Sequence, residues 1–141
     1  MSNDAHKSCD LLFVYGTLMS RFHNVHAIAL RQSATLVKAA TYQGRMYRVR
    51  GPRGALVYPV VVASDDPTDI VHGELYCLND RGVLDRLDAY EGCGPESRQP
   101  HEYRREIAEV ILEDGAKAKA MLYVFQRSVA TLPRITDGVF N

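Results

Sequence analysis

A chain of 141 residues is long enough to bury one core and too short to hold a second catalytic module, so we predict one domain. Its 17 basic and 17 acidic residues cancel, which argues against a nucleic-acid or acidic-membrane surface and favours a small-molecule partner. Three cysteines with no CxxC spacing predict reduced thiols. The polar N-terminus has no signal-like apolar stretch, and no segment reaches membrane-spanning length, so we expect a cytoplasmic protein.

The first apolar segment follows residues 1–10, which are polar and predict a mobile tail ahead of a single domain over 11–141. The run over 11–14 has the length of a buried strand and leads directly into Tyr15-Gly16-Thr17-Leu18. A glycine there permits unusual torsions or a close approach, so the following backbone N–H groups are placed to bind an anion. An ordinary strand followed by a tight turn explains the same residues.

The next segments predict one helix and one or two strands. The helix covers 21–32, with Val25, Ile28 and Ala29 at helical spacing. The β-rich stretch 34–49 predicts one or two strands with a bend or bulge at Gly44, and residues 51–54 close this unit as a loop.

A proline then interrupts a strongly apolar stretch. Residues 55–63 contain Pro59, which cannot donate to a central ladder, so the strand lies at an edge or breaks at Tyr58-Pro59, where it is expected to line a cleft. The alternating pattern over 70–77 predicts a half-buried strand.

The second helix places an acidic residue next to the core. Asn79 or Asp80 is expected to cap it, and it runs to Tyr90 with Val83, Leu84 and Leu87 as its apolar stripe. Glu91 follows Leu84 by seven positions, so its carboxylate falls in line with that stripe. Lost hydration raises the pKa of such a carboxyl toward the range useful for proton transfer. The alternative is a surface glutamate paired with Arg104 or Arg105.

Asp88, on a similar face, is expected to bond to neighbouring backbone. The remaining chain predicts a hairpin of 103–112 and 116–126 around Asp114-Gly115, then an irregular tail docked by Leu132, Ile135 and Phe140. Many strands with two helices indicate an α+β fold, and we expect a small, closed or nearly closed, barrel-like mixed sheet.

Other chemistries lack their signatures. The close pair His23 and His26 has no acidic or cysteine neighbour at a metal-ligand spacing, which argues against a metal site. There is no GxSxG elbow for a hydrolase triad.

Six motifs occur in an order that resembles the γ-glutamylcyclotransferase-like, or AIG2-like, family. They are FVYGTL at 13–18, YPVV at 58–61, VHGELY at 71–76, LDRLDAYEG at 84–92, EYRR at 102–105 and AMLYVF at 120–125. The combination of YGTL with LDxYEG is fairly specific, and the bacterial branch, including the γ-glutamylamine cyclotransferase type, is most similar.

The resemblance implies a compact barrel-like sheet with flanking helices, no metal and no organic cofactor. It implies a small γ-glutamyl substrate whose own α-amine attacks its γ-amide carbonyl, releasing 5-oxoproline and an amine or amino acid. Glu91 matches the family's general acid/base. The matches to substrate-binding positions are Tyr15, Gly16, Thr17 and Leu18 in the loop, and Tyr58, Tyr103 and Tyr123 around the pocket.

The chain departs from the family pattern at residues 93–101, which insert polar residues between Glu91 and EYRR. Because the leaving group is expected near this loop, the identity of the leaving amine stays open. A binding or regulatory module that keeps the pocket without turnover is the alternative function.

Overall fold

A computed structural model describes residues 10–50, 57–97 and 99–140. In chain order the elements are β1 (Asp10–Val14), α1 (Val25–Ser33), β2 (Ala34–Arg50), β3 (Val57–Ala63), β4 (Ile70–Leu78), α2 (Gly82–Tyr90), β5 (Tyr103–Leu112), β6 (Lys117–Phe125) and β7 (Arg134–Ile135). The predicted N-terminal tail, except for its last residue, and the predicted loop over 51–54 lie outside the described residues.

Five strands close into a small barrel. They pair in the order β2-β4-β1-β6-β5, and β5 returns to β2 through the pair Ala40 and Leu112. β1 lies between β4, which is antiparallel to it, and β6, which is parallel. Leu12, Phe13 and Val14 are all buried, so both faces of β1 are covered there, which is why its sequence is apolar without alternation. The predicted α+β fold with a small mixed barrel-like sheet is confirmed.

The long strand β2 belongs to two layers. Its first part pairs with β4 as far as Gln43, and from Gly44 onward it pairs with β3. The predicted bend at Gly44 is therefore a change of partner within one continuous strand, and the register shift lies earlier, between Leu36 and Lys38. Within the described chain β3 pairs only with β2, so Pro59 lies in an edge strand, as its missing N–H requires.

The two helices differ in how well their faces were predicted. In α2 the stripe of Val83, Leu84 and Leu87 is buried, and Asp80 accepts a hydrogen bond of 2.8 Å from the N–H of Gly82. In α1 the predicted face is wrong, because Val25 is 71% exposed while Ala27 and Leu30 are buried.

That error has a local cause. The helix begins later than predicted, after Asn24 caps it by accepting a hydrogen bond of 2.8 Å from Ala27. Apolar residues occur on both sides of this short helix, so its periodicity alone does not choose the buried side.

The hairpin of β5 and β6 is confirmed, whereas the C-terminal segment is more ordered than predicted. β7 pairs with Met46 and Tyr47 of β2, and both Ile135 and Phe140 are buried. Buried Asp69 accepts from Arg45 at 2.6 Å and from Arg134 at 2.7 Å, so one carboxylate links this segment to β2.

The cysteine prediction needs a correction. Cys77 is disulfide-bonded, so the expectation of reduced thiols is wrong at that position, while Cys93 is a free thiol. No helix in the described part of the chain is long and apolar enough to cross a membrane.

Candidate active site

One cavity of about 400 Å³ opens where the loop after β1, the start of β3, the end of α2 and the start of β5 meet. Every site residue predicted from the sequence lines it: Tyr15, Gly16, Thr17, Leu18, Tyr58, Glu91, Tyr103 and Tyr123. Its other lining residues include Pro59, Tyr90 and Glu102. Residues up to 108 positions apart thus share one site, since Tyr15 bonds to Tyr123 across it.

The loop after β1 packs directly on β3. A Cβ added to Gly16 would lie 2.8 Å from Cγ of Pro59, which is closer than side-chain atoms pack, so a glycine is required for this approach. The N–H of Met19 closes the turn on the Gly16 carbonyl at 3.0 Å, and Asn24 donates to the Thr17 carbonyl at 2.8 Å. Within the described ranges no acceptor is paired with the N–H groups of Gly16, Thr17 and Leu18.

Glu91 enters the cavity from the C-terminal end of α2. Its N–H donates to the Leu87 carbonyl at 2.8 Å, and Gly92, with a φ of 78°, ends the helix directly after it. Burial, followed by the negative charges of Glu102 and Asp88, raises the pKa of Glu91 to about 8.

The surface ion-pair alternative for Glu91 is wrong. Arg104 pairs with Glu106, and Arg105 pairs with Asp88 at 3.2 Å. In the part of the chain that is described, no basic side chain forms an ion pair with Glu91.

Three tyrosines form the buried wall of the cavity. The hydroxyl of Tyr15 donates to the Tyr123 carbonyl at 2.6 Å, and that of Tyr103 donates to the Pro59 carbonyl at 3.1 Å. The hydroxyl of Tyr123 donates to Asp88 at 2.6 Å. Burial raises the pKa of all three phenols, so they stay protonated and serve as fixed donors that hold the wall together.

Sequence reasoning missed two carboxylates around Glu91. Asp88 was expected to bond to nearby backbone, but it contacts Tyr123 and Arg105 on the hairpin instead. Glu102 precedes β5, so no strand alternation indicated where it points, and it accepts a hydrogen bond of 2.5 Å from Tyr58. Both contacts join segments far apart in sequence, for which the chain carries no local signal.

The two sides of the cavity are also joined by a hydrogen bond of 3.0 Å between the hydroxyls of Thr17 and Tyr90. Among the described residues no cluster of three or more histidine, cysteine, aspartate or glutamate side chains is arranged to hold a metal ion.

The geometry combines a backbone loop with free N–H groups and a half-buried carboxyl of raised pKa. The family model for gamma-glutamyl cyclotransferase, AIG2-like, matches residues 12–141. The chain therefore belongs to this family of cyclising enzymes.

Particular relatives agree with that assignment. The chain is 31% identical over 128 residues to MJ1514 of Methanocaldococcus jannaschii, provisionally named a gamma-glutamylcyclotransferase, and the match covers 91% of this chain and 94% of the relative. The fold is shared with an AIG2-like protein from Mus musculus at a TM-score of 0.69 and 20% identity, covering 94% and 88% of the two chains. YkqA from Bacillus subtilis matches with a TM-score of 0.65 and 25% identity, but the match covers 94% of this chain and only 39% of YkqA.

Proposed function

We propose that the protein converts a small γ-glutamyl amide, such as a γ-glutamylamine, into 5-oxoproline and a free amine, with Glu91 as the proton shuttle. The observation that carries the proposal is that the Glu91 carboxyl and the N–H groups of the Gly16 loop line the same cavity. A carboxyl and a set of backbone donors are the two groups that this reaction requires from a protein.

The reaction needs no nucleophile from the enzyme. The substrate's α-amine attacks its own γ-carbonyl carbon, a C–N bond forms the five-membered ring, and the original amide C–N bond breaks. Holding the glutamyl chain folded in a confined cavity supplies the proximity for this attack. The loop from Gly16 to Leu18 offers N–H donors for the substrate carboxylate or for the oxyanion that develops on the carbonyl oxygen.

Glu91 handles the proton balance. Its carboxylate takes a proton from the attacking amine, and the resulting acid returns that proton to the leaving nitrogen. A carboxyl with a pKa of about 8 populates both forms near neutral pH, which suits a group that must accept and donate in one cycle.

The test uses purified protein and a panel of γ-glutamyl compounds, with 5-oxoproline measured as product. Glu91→Gln keeps the shape of the side chain but cannot shuttle a proton, so we expect kcat to fall roughly 10²–10⁴-fold. Glu109→Gln, the same change at an exposed position of β5, is the matched control and should keep the wild-type rate.

Two results contradict the proposal: no 5-oxoproline from any compound, or an undiminished rate in Glu91→Gln. Calorimetry that shows binding of a γ-glutamyl compound without conversion over hours identifies a binding module instead.

A further inference from the structure

Glu102 is the second carboxylate in the described lining of the cavity and comes just before β5, whereas Glu91 lies at the end of α2. Both glutamates and Tyr58 are half-buried, while Tyr15, Tyr103 and Tyr123 are buried. A substrate that places its reacting carbonyl at Glu91 and its carboxylate on the Gly16 loop has one part left to extend toward Glu102, namely the leaving amine.

The carboxylate of Glu102 is held in place but not neutralised. One oxygen accepts a hydrogen bond of 2.5 Å from the hydroxyl of Tyr58. Burial and this carboxylate raise the pKa of Tyr58, so its hydroxyl remains a donor. Among the described residues no donor contacts the second oxygen, and no basic side chain forms an ion pair with Glu102.

The charged side chains in the described lining of the cavity are all acidic. Its described lining contains two glutamates and no lysine, arginine or histidine. Arg127 is near enough to lower the pKa of Tyr58, but it is exposed and donates to the Pro100 carbonyl at 3.3 Å. A bound positive charge is therefore favoured beside Glu102, and a bound carboxylate is repelled there.

We infer that Glu102, positioned by Tyr58, is a specificity-determining residue that selects γ-glutamyl amides whose leaving amine carries a second positive charge and no carboxylate. The inference rests on the proposed function and names its substrate class. The ammonium end of the leaving diamine donates to the unpartnered oxygen of Glu102, while the amide nitrogen that departs stays beside Glu91.

Three γ-glutamyl substrates test the effect of this charge, because their leaving amines share a four-carbon chain and differ in the group at its far end. The leaving amines are 1,4-diaminobutane, butylamine and 4-aminobutyrate, which end in an ammonium, a methyl and a carboxylate. We expect kcat/KM to decrease in that order, with a cation-to-neutral ratio of roughly 10–100-fold, the scale of one charge-assisted hydrogen bond.

The decisive comparison is the ratio of kcat/KM between substrates within each variant. Glu102→Gln also removes a negative charge near Glu91, but that change acts on the proton transfer common to all three substrates and cancels in the ratio. We expect the cation-to-neutral ratio to fall toward one in Glu102→Gln and to fall less in Tyr58→Phe, which frees the carboxylate without removing it. Glu106→Gln, four residues further along in β5 and outside the cavity lining, should keep the wild-type ratio.

The possible results distinguish a failure of the Glu102 assignment from a failure of the proposed function. If 5-oxoproline forms from all three substrates at similar kcat/KM, or if Glu102→Gln keeps the preference for the cation, the Glu102 assignment is overturned while the cyclotransferase function stands. If none of the three is converted and the wider γ-glutamyl panel is also inert, both the function and this inference are overturned. Melting temperatures of the variants, measured alongside, establish that each is folded.

Discussion

The raised pKa of Glu91 suits proton transfer but lowers the stability of the folded protein at neutral pH. In water its carboxyl would ionise near pH 4.5, but burial and two neighbouring carboxylates raise its pKa to about 8. The folded protein therefore keeps a proton that the unfolded chain releases over this whole range. Placing a titratable group in an apolar cavity therefore lowers the stability of the folded protein at neutral pH, and the rest of the fold compensates for this loss.

That imbalance makes Glu91→Gln a stabilising change whose size depends on pH. Below about pH 4.5 Glu91 is protonated in both states, so the variant and the wild type should differ little. As pH rises toward 8 the wild type loses stability, because only its unfolded state releases the proton. Above pH 8 we expect the variant to be more stable by on the order of a few kcal/mol.

Urea unfolding of both proteins at several pH values measures this difference. A gain in stability that does not change between pH 4 and 8 would show that Glu91 titrates normally, contrary to the raised pKa. Glu109→Gln provides the baseline for an exposed glutamate.

At the scale of elements, α2 illustrates what periodicity predicts well. Leu84 and Leu87 are buried, and the same spacing brings Glu91 to the cavity one residue after the helix ends. The ending depends on Gly92, whose φ of 78° is strained for any residue with a Cβ. The position of the carboxyl is thus fixed by the helix before it and the glycine after it.

Gly92→Ala should weaken this helix end. We expect a loss of about 1 kcal/mol in the free energy of unfolding, since alanine in a left-handed conformation is strained. Space is available for the methyl group, so torsional strain is the whole effect. A fall in kcat should accompany it because Glu91 shifts with the helix end.

Gly82→Ala at the other end of α2 is the matched control. Its φ is ordinary and the added Cβ would meet the side chain of Asp80 at 3.2 Å, which can move aside, so the change should keep kcat and should not lower the free energy of unfolding. Equal stability of Gly92→Ala and the wild type in denaturant unfolding would contradict this account of the helix end.

At the scale of the whole molecule, one carboxylate connects the C-terminal segment to the sheet. Asp69 accepts from Ser64, Arg45 and Arg134, and these contacts hold the pKa of Asp69 well below its usual range. Arg134 belongs to β7, which pairs with β2 on the side that β3 does not occupy. The segment therefore completes the layer that also carries Pro59 and Tyr58.

Asp69→Asn should lower the melting temperature at neutral pH by several degrees, because two arginines lose their shared acceptor charge. A lowered pKa stabilises the fold above the value of the unfolded chain, near 3.8, and the contribution is lost as pH falls below it. The difference between variant and wild type should accordingly shrink in acid. Scanning calorimetry from pH 7 down to pH 2, well below 3.8, measures it, with Asp65→Asn in the adjacent exposed loop as control. Equal melting temperatures for the two variants would contradict the link.

The sequence by itself determined the strands up to β6, the second helix, the hairpin and the family, because each depends on local periodicity or on motifs read along the chain. It did not predict β7, which forms by pairing with β2. The sequence did not predict the buried face of α1. Apolar residues lie on two sides of this helix, and packing against the rest of the fold decides which side is buried. The YGTL loop and Glu91 were named from sequence, and their roles remain proposals.

Only the tertiary structure placed these groups on one cavity, added Glu102 to its lining and brought Asp88 next to Tyr123 in its wall. The physical reason is that a pKa, an unpartnered oxygen and a cavity depend on distances between segments far apart in sequence, such as Gly16 and Glu91 or Tyr15 and Tyr123. Closure of the barrel sets these distances, and local sequence does not.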